Sequence, residues 1–108
     1  MKKILILFLA FILIGCNNDK DVYTIMKENE HIIIDVRTKE EYLSSHIVGA
    51  INIPYDEIDE SINLDKDKII FVYCQSGRRS QIAFNNLKEL GYTVYDLGAF
   101  EDIKLTKE

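Results

Sequence analysis

The chain has 108 residues, 47% of them hydrophobic, with 13 Lys and Arg against 18 Asp and Glu and a formal net charge of −5. That length holds one domain with one modest core. The acidic balance excludes nucleic acid and anionic lipid surfaces as charge-matched partners, so any anion site must be local.

Lys2 and Lys3 precede an unbroken apolar run from Ile4 to Ile14, followed by Gly15, Cys16 and the polar Asn17, Asn18 and Asp19. The run is about half the roughly 20 residues that a membrane-spanning helix needs, so residues 1–15 read as a secretory signal peptide. Leu13, Ile14, Gly15 and Cys16 resemble the lipobox of bacterial lipoproteins. The resemblance implies cleavage before Cys16, lipid on its thiol, and a short tether over residues 16–20. An extracytoplasmic domain over residues 21–108 would then be held at a membrane by more than one acyl chain. With Cys16 lipidated, Cys74 is the remaining thiol, and no disulfide can form within the mature chain.

Beyond the tether, Val22, Ile25 and Met26 have helical spacing, and Ile32 to Val36 reads as a strand buried on both faces. Thr38 with Glu41 forms a capping box for a short helix that should end near His46. Ala50 to Ile53 gives a brief strand stopped by Pro54, and Asp56 to Ser61 a short polar helix with Ile58 and Ile62 facing inward. Ile69 to Tyr73 is the clearest buried strand, and it runs straight into Cys74. From about Ser80, the spacing of Ala83, Phe84, Leu87 and Leu90 predicts a helix capped by Gly91, followed by a last strand from Thr93 to Tyr95. An irregular tail is expected from Gly98. Alternating strands and helices predict an α/β domain, a parallel sheet with helices on both faces, with its ligand site beyond the carboxyl ends of the strands.

Cys74 stands at such an end. The loop Cys74, Gln75, Ser76, Gly77, Arg78, Arg79, Ser80 can turn successive backbone N–H groups inward as an anion nest at a helix N-terminus. Helix N-termini and nearby cations lower thiol pKa values, so the pattern favours a thiolate nucleophile. The alternative is a buried cysteine acting as a small hydrophobe. Arg78 and Arg79 oppose the helix dipole, and an incoming anion accounts for them better than solvation does. His31 and His46 lie at no metal-ligand spacing, so no metal is expected, and His46 reads as a packing residue.

Asp35, Val36, Arg37, Thr38, Glu41 and Tyr42, then His46, Ile47 and Gly49 through Pro54, resemble the amino-terminal signature of rhodanese domains. Tyr73 through Ser80 is similar to the rhodanese active-site loop, and Leu90, Gly91, Tyr92, Leu97 and Gly98 resemble the closing segment, with Ala99 where a second glycine is common. The short tail after Ala99 resembles the abbreviated ends of small exported single-domain rhodaneses of the phage-shock type. The resemblance implies a rhodanese-like parallel sheet of about five strands and an enzyme without a resident cofactor. In such an enzyme Cys74 takes sulfane sulfur from a small anionic donor such as thiosulfate, and the persulfide passes to cyanide, a thiol or a protein acceptor. The loop amides and Arg79 would hold the persulfide and the donor oxygens, Asp35 and Arg37 would support the loop or form a structural ion pair, and the protein would be a monomer. A non-catalytic sulfur carrier or binding module is the rival reading. Related phosphatase and arsenate-reductase loops place one residue more between cysteine and arginine, where Ser80 stands here, so a phosphate ester fits poorly.

Overall fold

The computed structural model describes residues 21–108; the signal peptide expected over 1–15, the tether expected over 16–20 and the lipidation expected at Cys16 lie outside the described residues. Helix α1 (Val22–Glu28) opens where the Asp21 carboxylate accepts hydrogen bonds from the N–H groups of Tyr23 (2.8 Å) and Thr24 (3.2 Å). It leads into β1 (His31–Asp35). Helix α2 (Lys39–Ser44) starts in the expected capping box between Thr38 and Glu41. Strand β2 (Ile51–Asn52) is short, and β3 (Ile69–Cys74) feeds α3 (Arg78–Glu89), which is followed by β4 (Val94–Ala99).

All strand pairings are parallel, in the order β2-β1-β3-β4. The sheet thus has four strands among the described residues rather than about five. Near the C-terminus only an isolated antiparallel bridge forms, between Ile47 and Lys107.

Alternation along β3 sorts the core into two layers. Ile70, Val72 and Cys74 face Ala83 and Leu87 of α3, while Phe71 and Tyr73 face Met26 of α1 together with Ile47 and Ile103. Helices therefore cover both faces, as the strand-helix alternation predicts. Cys74 lies on the α3 face, and its neighbour Tyr73 points to the opposite one.

Two expectations fail for identifiable reasons. The helix expected over Asp56 to Ser61 is only a 3-10 turn, Tyr55–Glu57. The Asp59 carboxylate accepts from Ser61 N–H (2.9 Å) and Oγ (2.6 Å), a local turn that competes with helical bonding. The last strand, expected to stop at Tyr95, continues to Ala99 through a bulge: Val72 pairs with Asp96, but Tyr73 pairs with Gly98. Gly98 takes φ +86°, a left-handed conformation that suits glycine, and its N–H donates to Asp96 Oδ1 at 2.9 Å. The extension matters because it pairs Ala99 with Cys74 and so pins the end of β3.

Candidate active site

Cys74 is the last residue of β3, fully buried, with the first turn of α3 folded over it. Gly77 caps α3 in a left-handed conformation, φ +100°, and this turn brings its N–H to 2.9 Å from Cys74 Sγ. Ser80, also fully buried, places Oγ 3.5 Å from the sulfur and donates to the Gly77 carbonyl at 3.2 Å. Burial alone would push the Cys74 thiol up. Hydrogen bonding between the sulfur and the Ser80 side chain, together with the N–H groups of Ser80, Gly77 and Ser76, outweighs it and holds the pKa below the ordinary thiol value. The nest expected of this loop is present, and it is aimed at the sulfur.

Its chemical consequence is measurable. Ser80→Ala removes a hydrogen bond to the sulfur while burial stays, so the pH midpoint for alkylation of Cys74 by iodoacetamide should move upward. Peptide mapping would follow Cys74 apart from Cys16, and an unmoved midpoint would show that the backbone N–H groups suffice.

The two arginines part company. Arg78 is exposed and makes no hydrogen bond or ion pair within the described residues, whereas Arg79 forms a two-pronged pair with Glu41, Nη1–Oε1 2.9 Å and Nη2–Oε2 3.1 Å. The sequence suggested Arg79 as the donor's ligand and Glu41 only as a helix cap. Glu41 does both jobs here, and no local pattern could reveal the second, since the partners lie 38 residues apart.

Asp35 and Arg37 form the buried pair that the sequence allowed as an alternative, with Arg37 only 3% exposed. Arg37 Nη2 meets Asp35 Oδ2 at 2.7 Å and the Ser45 carbonyl at 2.6 Å, and its Nε donates to both Asp35 oxygens at 3.0 and 3.1 Å. The Tyr73 hydroxyl donates to Asp35 Oδ2 at 2.7 Å, and the Phe100 ring lies 4.4 Å from the guanidinium. The remaining nitrogen, Nη1, donates to Gln75 Oε1 at 3.0 Å. Through that bond the pair reaches the residue after Cys74 and supports the loop. Tyr73 as a member of this network was not visible in an apolar run.

His46 stands apart from the sulfur chemistry. Its Nδ1 faces the Tyr42 carbonyl at 2.9 Å, its ring stacks on Tyr42, and Nε2 lies 3.3 Å from Glu108 Oε2. Nδ1 is thus taken up by Tyr42, and Nε2 helps pack 45–48 against 106–108, where backbone bonds also join His46 and Glu108.

A parallel α/β domain with a thiolate-stabilising loop at the carboxyl edge of its sheet fits the rhodanese pattern, and the rhodanese-like domain family matches residues 18–105. The chain belongs to that family. Thiosulfate sulfurtransferase PspE of Escherichia coli (strain K12) is 45% identical over 78 residues, 68% of this chain and 75% of that protein. Thiosulfate sulfurtransferase GlpE of Coxiella burnetii is 34% identical over 87 residues, 78% of this chain and 81% of that protein. A solved structure described as rhodanese with anions from E. coli superposes with a TM-score of 0.67 at 40% identity, covering 72% of this chain and 96% of that one. This homology to single-domain sulfurtransferases supports a rhodanese-type enzyme.

Proposed function

We propose that this protein is an extracytoplasmic, lipid-anchored, monomeric thiosulfate sulfurtransferase in which Cys74 carries sulfane sulfur as a persulfide. The observation that carries the reading is the Gly77 N–H at 2.9 Å from Cys74 Sγ, with buried Ser80 beside it. Together they favour a thiolate where, among the described residues, no base is hydrogen-bonded to the sulfur.

The thiolate attacks the sulfane sulfur of thiosulfate, a new S–S bond forms, and the old one breaks with its electron pair leaving on sulfite. The persulfide anion keeps one negative charge inside the loop, where the N–H groups of Ser76, Gly77 and Ser80 face it. Cyanide or a thiolate then attacks the terminal sulfur, and the electron pair of the broken S–S bond returns to Cys74. Neither step consumes or releases a proton, so no base is needed. Arg78, exposed and without an ion-pair partner among the described residues, meets the donor oxygens; Gln75, held by Arg37, keeps the loop in register. Full burial of Cys74 means that the loop must open to admit the donor. The lipid on Cys16 and the removal of residues 1–15 complete the reading and set the compartment.

The test is intact mass of the protein after thiosulfate, then a thiocyanate assay after cyanide. Gain of one sulfur atom on Cys74 with repeated thiocyanate release is expected. Loading without turnover would make the protein a sulfur carrier, and no loading would leave a binding module.

A further inference from the structure

The loop presents two arginines, yet they are not equivalent, because the Glu41 carboxylate takes up one of them. Glu41 is not a loose surface acid. Its Oε1 also accepts from Thr38 N–H at 2.9 Å and Thr38 Oγ1 at 3.1 Å, so the capping box of α2 fixes the carboxylate from which Arg79 hangs. Hydrogen bonding from Arg79, against some burial and helped by Thr38, draws the Glu41 pKa down to about 2, so the counter-charge persists at any physiological pH. Arg79 nonetheless remains within electrostatic reach of the Cys74 sulfur. Among the described residues, an anion arriving at that sulfur therefore meets Arg78, which has no ion-pair partner there, and Arg79, already neutralised by Glu41.

We infer that Glu41 is a specificity-determining residue whose carboxylate, by holding Arg79, biases the site against doubly charged sulfur donors and towards singly charged ones. The inference rests on the sulfurtransferase reading and refines it. A dianion such as thiosulfate gains twice what a monoanion gains from any uncompensated positive charge at the loop. Glu41 cancels one such charge, so its effect must scale with donor charge. Donors carrying a single charge next to the sulfane sulfur, such as an alkyl persulfide or a thiosulfonate, therefore lose less to Glu41 than thiosulfate does, while thiosulfate remains a substrate.

Methanethiosulfonate provides the matched probe. It carries its sulfane sulfur on a sulfonyl group as thiosulfate does, with one negative charge fewer, and attack by Cys74 expels methanesulfinate with the electron pair of the broken S–S bond. Glu41→Gln keeps a capping box, since glutamine serves at that position, and removes only the charge. In the full chain, KM for thiosulfate should fall about five-fold, the upper end of the range for surface ion pairs, while KM for methanethiosulfonate falls about two-fold and kcat with either donor stays close to wild type. Arg79→Gln, which bares Glu41, should raise the thiosulfate KM more than the methanethiosulfonate KM, and the double variant should return both towards wild type. Equal changes for both donors, a rise in thiosulfate KM on Glu41→Gln, or a double variant as poor as Arg79→Gln would each overturn the inference. The Arg79 arm decides the matter if Glu41→Gln fails to fold. Calorimetric titration of thiosulfate into Cys74→Ser, with and without Glu41→Gln, reads the same charge effect without turnover. Absence of thiocyanate from either donor would thus defeat the sulfurtransferase reading while the calorimetry still judged Glu41.

Discussion

Cys74→Ser should abolish both sulfur loading and thiocyanate formation, a fall of more than about 1,000-fold, as expected for removal of a nucleophile. A serine hydroxyl would have to lose its proton to attack, and among the described residues no histidine or carboxylate is hydrogen-bonded to position 74 to take it. It also cannot store sulfur as a persulfide. The substitution is nearly isosteric and meets a site already built for a polar atom, with the Gly77 N–H and the Ser80 hydroxyl in place. The thermal midpoint should accordingly stay close to wild type, so lost turnover would report chemistry rather than unfolding. Intact mass and a thiocyanate assay check the first part and calorimetric melting the second. Sustained turnover in Cys74→Ser would remove Cys74 from the mechanism.

What was legible in the sequence follows the range of the interactions involved. The capping box at Thr38 and Glu41 depends on neighbours within a few residues, so residue types alone predict it. The buried strand before Cys74 is also local in origin, because a run such as Ile69 to Tyr73 has no solvent face to offer. The bulge at Gly98 was hidden, because a glycine after an apparent strand end signals a stop and a bulge equally well; only pairing with Tyr73 decides between them. The helix expected after Asp56 failed for a related reason, since Asp59 and Ser61 suit an exposed helix and a turn alike. Within the site, the chain order exposed the nest but not which cation was free. Arg78 and Arg79 look interchangeable on paper, and the choice between them is made by an acid on another helix.

Arg37→Met should cost about 3–5 kcal/mol of stability, the loss typical of removing one member of a buried ion pair. That is a large share of the roughly 5–15 kcal/mol expected for a small domain. The cost arises because the Asp35 carboxylate, fully buried, would keep only the Tyr73 hydroxyl and the backbone N–H of residue 37 as donors. The Ser45 carbonyl would also lose its donor, and Gln75 its anchor. Denaturant unfolding should show the midpoint falling with an unchanged slope, and persulfide formation should slow in the fraction still folded, because the residue after Cys74 is no longer held. Asp35→Asn combined with Arg37→Met should recover part of the stability, since no uncompensated charge then remains in the core, yet it should not recover the rate. That split separates the two roles of the pair. Stability depends on the balance of charge between Asp35 and Arg37, which a neutral pair can restore, whereas the loop depends on the guanidinium nitrogen at 3.0 Å from Gln75, which methionine cannot supply. Recovery of both by the double variant would confine Asp35 and Arg37 to the fold.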